Sequence, residues 1–149
     1  MTIQRALPSD HIILTRITKL SKAYWGYSAE QMEQWETVLT ITPEYIAENE
    51  TFKLVSGDEA TGYYSIIKSG AETLKLDNLF ILPGFIGSGC GRILMEHLFA
   101  KAVSESYTSI ILEADPNAES FYSKFGFSGI GQVATSTPGR ILPVMKKLL

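Results

Sequence analysis

Cysteine is nearly absent from this chain of 149 residues: Cys90 stands alone. One thiol cannot form an intrachain disulfide or a thiolate metal cluster. Histidine is almost as scarce. His11 and His97 lie far apart and lack metal-ligand spacing, so no metal is expected. Basic runs are missing as well, the densest being Lys146-Lys147, and the net charge is -3. That argues against a nucleic-acid partner. No apolar run approaches the roughly 20 residues of a membrane helix, and Met1–Arg5 lacks the apolar region of a signal peptide. These absences make a cytoplasmic location the expectation, with no membrane partner.

What is present is ordinary globular composition, 45% hydrophobic and 19% charged, without repeats or a linker. A single domain over residues 1–149 is expected. A short extended segment, Thr2 to Ala6, precedes Pro8-Ser9-Asp10, a helix start with Ser9 or Asp10 as cap. Ile12, Ile13, Ile17 and Leu20 give a helical stripe that stops near Gly26. Ser28 and Gln31 form a capping-box pattern, and Thr42-Pro43-Glu44 begins a further short turn of helix. From Thr51 the pattern becomes strand-like. Phe52–Val55, Gly62–Lys68 and Leu74–Leu82 read as an antiparallel meander. A helix over Ile93–Val103 and a strand over Ser109–Ala114 complete a βαβ unit with Leu74–Leu82, which predicts one parallel strand pair. Asp115-Pro116-Asn117 starts another helix that ends at Gly126. Two strands follow, near Phe127–Val133 and Arg140–Lys147.

The stretch Pro83-Gly84-Phe85-Ile86-Gly87-Ser88-Gly89-Cys90-Gly91-Arg92 lies between a strand and a helix. Glycines admit close approach of a ligand to the backbone, and free N–H groups at a helix start favour an anion. Gly84 and Gly89 have the separation of a P-loop, but Cys90 and Gly91 stand where that motif needs Lys and Ser or Thr. The G-x-G-x-G spacing, placed after a meander, also argues against a dinucleotide fold.

Ile86-Gly87-Ser88-Gly89-Cys90-Gly91 resembles the coenzyme A loop of the GNAT superfamily of acyl-CoA N-acyltransferases, Q/R-x-x-G-x-G/A, with Ile86 in place of Gln or Arg. Asp115 to Phe127 resembles that family's N-x-x-A-x-x-ϕ-Y-x-K-x-G-F segment, where ϕ is apolar. Ala118, Phe121, Tyr122, Lys124, Gly126 and Phe127 are in register, and Asp115 replaces Asn. Ser21–Tyr27, Ala114–Tyr122 and Pro138–Pro143 resemble a bacterial subgroup of unassigned substrate. The resemblance implies an α/β (α+β) GNAT-type fold. Its mixed, mostly antiparallel sheet would have about six to seven strands, flanked by about four helices.

It also implies acetyl-CoA as donor and direct acetyl transfer to a primary amine of a small molecule or peptide. The alternative is a non-catalytic CoA-binding or sensor protein of the same fold. A homodimer is compatible with either. By motif position, backbone groups of Leu79, Phe80 and Ile81 would pair with the pantetheine arm. The backbone of Ile86, Gly87, Ser88, Gly89, Cys90 and Gly91 would hold the diphosphate. Arg92 and Lys124 would meet phosphates, and Asn117 and Phe121 would also line the cofactor. Tyr122 is the candidate general acid beside the sulfur, its alternative being a packing tyrosine. Asp77, in phase with Leu79 and Ile81, is the candidate base, with Glu72 and Glu113 as competitors and a salt-bridged carboxylate as the alternative. Tyr24, Trp25 and Tyr27 are candidates for the acceptor site, because aromatic faces suit an amine.

Overall fold

A computed structural model describes all 149 residues. The elements run β1 (Thr2–Arg5), α1 (His11–Ala23), α2 (Ala29–Gln34), α3 (Pro43–Glu48), β2 (Glu50–Ser56), β3 (Glu59–Lys68), β4 (Thr73–Ile81), α4 (Cys90–Ser104), β5 (Ser109–Glu113), α5 (Glu119–Lys124), β6 (Ser128–Ala134) and β7 (Ile141–Leu148). Single 3-10 turns at Pro8–Asp10, Pro83–Phe85 and Pro116–Ala118 lead toward α1, α4 and α5. The strands form one sheet in the order β1-β2-β3-β4-β5-β7-β6. β4 and β5 pair in parallel over Thr73–Lys75 and Ser109–Ile111, as the crossover requires. The pairs β1/β2, β2/β3, β5/β7 and β6/β7 are antiparallel. The expected mixed sheet is therefore present, with α3 as a full helix beyond the four expected.

The chain divides into two compact units, Met1–Ile66 with Asn78–Glu96, and Ile67–Asp77 with His97–Leu149. In the first, Ala6, Leu14, Ile17, Ile41, Ile46, Tyr63 and Leu82 form a core against which Phe80 and Phe85 pack. This core anchors the end of β4 and the loop after it. β3 is buried continuously from Thr61 to Ile66, as expected of an inner strand covered on both faces. Its Gly62 is a point of close approach: a Cβ there would lie 2.9 Å from the Phe80 carbonyl oxygen and 3.3 Å from side-chain atoms of Ile81 and Leu94. Only glycine lets β3, β4 and α4 meet at that distance.

Local signals act mostly as expected. Ser28 and Thr42 accept hydrogen bonds from the amides of Gln31 and Tyr45, at 3.0 and 3.1 Å. Asp10 does not cap α1 with its side chain. Its carboxylate accepts from the Leu7 amide at 2.8 Å and pairs with Lys53 at 3.0 Å, tying the first turn to β2. In the second unit, Leu98 and Ala102 of α4 are buried, together with Ile110, Leu112, Phe127 and Met145. Ala114, at the end of β5, donates to the Pro143 carbonyl of β7 at 2.8 Å, which fixes where the Asp115 turn begins.

Candidate active site

The glycine loop belongs to the first unit. Helix α4 begins at Cys90, three residues before the expected Ile93. Cys90, Gly91 and Arg92 are thus the first turn of α4 rather than loop, and Ile93 donates to the Gly89 carbonyl at 3.1 Å. The amides of that first turn have no preceding helical carbonyl to receive them. The reason for the early start is burial. Cys90 is enclosed, with its sulfur 3.9 Å from Thr61 Oγ1, 3.3 Å from Ser88 Oγ and 3.7 Å from Met1 Sδ. Its side chain serves packing, while its amide stands at the helix start.

Gly87 and Gly89 have φ of +83° and +89°, flanking Ser88. L-residues pay about 1–2 kcal/mol for that conformation. Positive φ at alternate residues is a backbone conformation that anion-binding loops use. A Cβ at Gly84, Gly87 or Gly89 would meet nothing within 4 Å, so the loop leaves room for a diphosphate. Ser88 departs from its expected part. Its amide donates to the Phe85 carbonyl at 3.3 Å, and its hydroxyl donates to the same oxygen. Ser88 therefore braces the loop, and its amide is not free for an anion. Ile86 is exposed. Arg92 lies on the exposed side of α4, 3.7 Å from Glu96, in a surface pair of little energetic weight.

Leu79, Phe80 and Ile81 close β4, and all three are half-buried. The Phe80 ring packs against Tyr63, with centroids 6.1 Å apart. Beside them is a polar group the sequence reading missed. Asn78 donates to Ser65 Oγ at 3.0 Å and to the Tyr45 hydroxyl at 3.2 Å, and Tyr45 and Ser65 are 2.8 Å apart. Scattered over three elements, these residues leave no local pattern. Of the acceptor candidates, Tyr24 and Trp25 are exposed and meet edge to face at 5.5 Å. Tyr27 instead packs edge-on against buried Trp35 at 4.8 Å. The Lys22 ammonium lies over both rings, at 5.6 and 5.5 Å. Tyr27 already serves an internal cation.

In the second unit, the Asp115 side chain caps the Pro116–Ala118 turn. Its Oδ1 accepts from the Asn117 amide at 2.8 Å and from the Asn117 carboxamide at 3.0 Å. Its Oδ2 accepts from Arg140 at 3.1 Å, and both side chains of this ion pair are largely buried. The turn leads into α5, which carries Phe121, Tyr122 and Lys124. Tyr122 is buried. Its ring lies 5.3 Å from Phe121 and 5.8 Å from Phe127, and Phe121 lies 5.0 Å from Phe125. Burial, with the Asp115 charge adding to it, pushes the Tyr122 phenol well above its ordinary range. The hydroxyl is therefore a neutral donor at any physiological pH. Asn117 and Lys124 are exposed. Asp77 lies 4.0 Å from Lys75, whose ammonium also holds Glu113 at 2.7 Å. Glu72 contributes a backbone carbonyl, which accepts from the Thr108 amide at 2.8 Å.

A seven-stranded mixed sheet, a glycine loop with two residues at positive φ, and a buried tyrosine on a short helix after a capped turn are the features of an acyl-CoA-dependent transferase. The family model described as an acetyltransferase (GNAT) domain matches residues 25–148, and the chain belongs to that family. It is an N-acetyltransferase that takes its acetyl group from acetyl-CoA. Among curated proteins it is similar to the peptidyl-lysine N-acetyltransferase YjaB of Escherichia coli, at 29% identity over 119 residues, covering 80% of this chain and 72% of that one. It is also similar to the 5-NmdU N-acetyltransferase of Pseudomonas phage PaMx11, at 26% identity over 133 residues, covering 89% and 90%. Both are named as enzymes, which favours catalysis over the sensor alternative. In fold it is similar to a GCN5-related N-acetyltransferase from Rhodopseudomonas palustris, with a TM-score of 0.83 at 23% identity and coverage of 99% and 95%. It is likewise similar to the PaiA N-acetyltransferase of Thermoplasma acidophilum, solved in complex with coenzyme A, with a TM-score of 0.80 at 18% identity and full coverage of both chains.

Proposed function

We propose that residues 1–149 work as one catalytic domain that acetylates a primary amine of a small molecule or a peptide, with Tyr122 as the group that serves the departing sulfur. The observation that carries this reading is the buried, neutral Tyr122 hydroxyl in register with the family motif. Bound acetyl-CoA supplies an activated thioester. As the amine attacks the carbonyl carbon, a C–N bond forms, the C–S bond breaks and negative charge collects on sulfur. The Tyr122 hydroxyl donates a hydrogen bond to that charge. Full proton transfer is the less favourable course, because a raised phenol is a weaker acid than a thiol of ordinary pKa near 8.5. This sharpens the general-acid reading toward hydrogen-bond stabilisation.

Leu79, Phe80 and Ile81 offer backbone groups to the pantetheine arm. The amides of Gly87, Gly89, Cys90, Gly91 and Arg92 take the diphosphate, with Ile86 and Ser88 shaping the loop. Lys124 and the Arg92 side chain add positive charge, while Asn117 and Phe121 line the arm. Asp77 receives the proton lost by the amine, directly or through water, with Lys75 holding its carboxylate in place. Tyr24 and Trp25, exposed and free of the Lys22 cation contact that engages Tyr27, are the better acceptor candidates. No helix is long and apolar enough to cross a membrane. A cytoplasmic site of action fits the supply of acetyl-CoA.

The test is free-thiol release from acetyl-CoA with an amine panel. Lysine peptides and 5-NmdU lead the panel, since these name the substrates of the two relatives. Turnover with one class and not the other selects the acceptor. Acetyl-CoA should also raise the melting temperature. No melting shift at millimolar acetyl-CoA, together with no turnover, would reject the reading.

A further inference from the structure

The family segment has a neutral Asn where this chain has Asp115, and that change introduces a negative charge at the start of the turn before α5. Arg140, in the loop between β6 and β7, supplies the matching positive charge. Its guanidinium meets Asp115 Oδ2 at 3.1 Å, with 17% of the Arg140 side chain and 9% of the Asp115 side chain exposed. The loop itself is fixed. The Arg140 carbonyl accepts from the Thr135 amide at 3.1 Å and hydroxyl at 3.0 Å, and the Arg140 amide donates to the Thr137 carbonyl at 3.1 Å. The other oxygen of Asp115 is committed to Asn117. Asp115 thus links a hydrogen-bonded hairpin loop to the turn that launches the helix of Tyr122.

We propose that Arg140 is a positioning residue for acetyl transfer: through Asp115 it fixes the Pro116–Ala118 turn and offsets the negative charge that would otherwise act on Tyr122 and on the sulfur it serves. The inference rests on the reading of Tyr122 given above. The Asp115 carboxylate already acts on the phenol in the intact chain. With the Arg140 cation gone, the carboxylate loses the positive charge beside its Oδ2, and more of its field in a region of low dielectric opposes a developing thiolate.

The experiment compares the affinities of CoA and acetyl-CoA by calorimetry at pH 9.5, where a free thiol of ordinary pKa is mostly ionised and the thioester carries no such charge. It needs no acceptor. Arg140→Gln should weaken CoA relative to acetyl-CoA by about fivefold. Asp115→Asn, which leaves the cation without its carboxylate, should shift the ratio the opposite way. The double variant Asp115→Asn/Arg140→Gln should return close to the wild-type ratio. A merely structural bridge would weaken both ligands alike in both single variants, and that result overturns the proposal, as does an unchanged ratio in Arg140→Gln. If Arg140→Gln does not fold, Asp115→Asn and the double variant carry the same sign test. Tyr122→Phe separates the two readings. An unchanged ratio there removes Tyr122 as the sulfur's partner, whereas a changed ratio there with none in Arg140→Gln removes only the role of Arg140.

Discussion

The loop from Ile86 to Gly89 and the segment from Asp115 to Phe127 are built in opposite ways. In the loop all four residues are exposed, and order comes mainly from the backbone: two glycines at positive φ and the Ser88 amide on the Phe85 carbonyl, which the Ser88 hydroxyl also meets. In the segment the key side chain is enclosed by aromatic rings and the turn is held by a side-chain ion pair. A site made of amides tolerates side-chain change but not a change of backbone conformation. A site made of one hydroxyl tolerates neither removal of that atom nor a shift of its helix. The contrast predicts that substitutions in the loop move ligand affinity, while substitutions around Tyr122 move the rate of the chemical step.

The largest effect should come from Tyr122→Phe. It deletes one oxygen and keeps the ring against Phe121 and Phe127. kcat should fall about a hundredfold, the scale of a positioned acid or donor. The KM for acetyl-CoA should stay within about twofold, because the donor acts on charge that appears only in the transition state. Steady-state kinetics with any active amine would check it. An equal loss in affinity would mean that the hydroxyl serves ground-state binding, and the two regions would no longer differ.

Gly89→Ala is the matching change in the loop. Its new Cβ has open space, so the whole effect is the backbone cost of about 1–2 kcal/mol at φ +89°. The KM for acetyl-CoA should rise about tenfold with kcat nearly unchanged. Gly62→Ala is the control. Its Cβ would press on the Phe80 carbonyl at 2.9 Å, so it should lower the melting temperature before it alters kinetics. If Gly89→Ala behaved like Gly62→Ala, the loop would be a packing element rather than a ligand cradle.

How far the sequence revealed these regions depends on the range of the interactions. The caps at Ser28, Thr42 and Asp115 act within three residues, and all three were legible. So were the body of α4 and the glycine spacing, because both are local patterns. The start of α4 was not. Gly91 lowers helix propensity, and what overrides it is burial of Cys90 beside Thr61, 29 residues away in the chain. Asp10 looked like a helix cap, yet its charge is claimed by Lys53 on another element. Gly62 read as an ordinary strand residue, since nothing local announces the carbonyl it must clear. Arg140 appeared only within a segment of subgroup resemblance, and its pairing with Asp115 is a tertiary fact.

Alkaline pH provides a smaller test of the buried side of the contrast. Burial raises the folded-state pKa of Tyr122 above the unfolded value of about 10. Below that pH both states keep the proton, and the contribution to stability is complete. As pH rises past about 10, the unfolded chain releases the proton while the folded chain holds it, so stability falls. Wild type should therefore lose more melting temperature than Tyr122→Phe between about pH 9 and pH 11, by a few degrees. Differential scanning at matched ionic strength reads the difference directly, and parallel curves would mean that Tyr122 is less enclosed than its neighbours make it.

The smallest effect is expected at Ile86, the irregular member of the loop. The residue is 43% exposed, and the family motif that the loop resembles has Gln or Arg there. Ile86→Arg adds a cation beside the amides without touching their conformation. An exposed charge next to an anion contributes at most about 1 kcal/mol and is screened by salt. Acetyl-CoA affinity should improve about threefold at low ionic strength, and the gain should disappear at about 0.5 M salt, where the Debye length falls below the span of the contact. kcat should not move. A gain that survives salt would point to packing by the arginine stem, and a loss of affinity would mean that the exposed isoleucine itself meets the ligand. In that case the loop would depend on a side chain after all, and its difference from the Tyr122 segment would be one of degree.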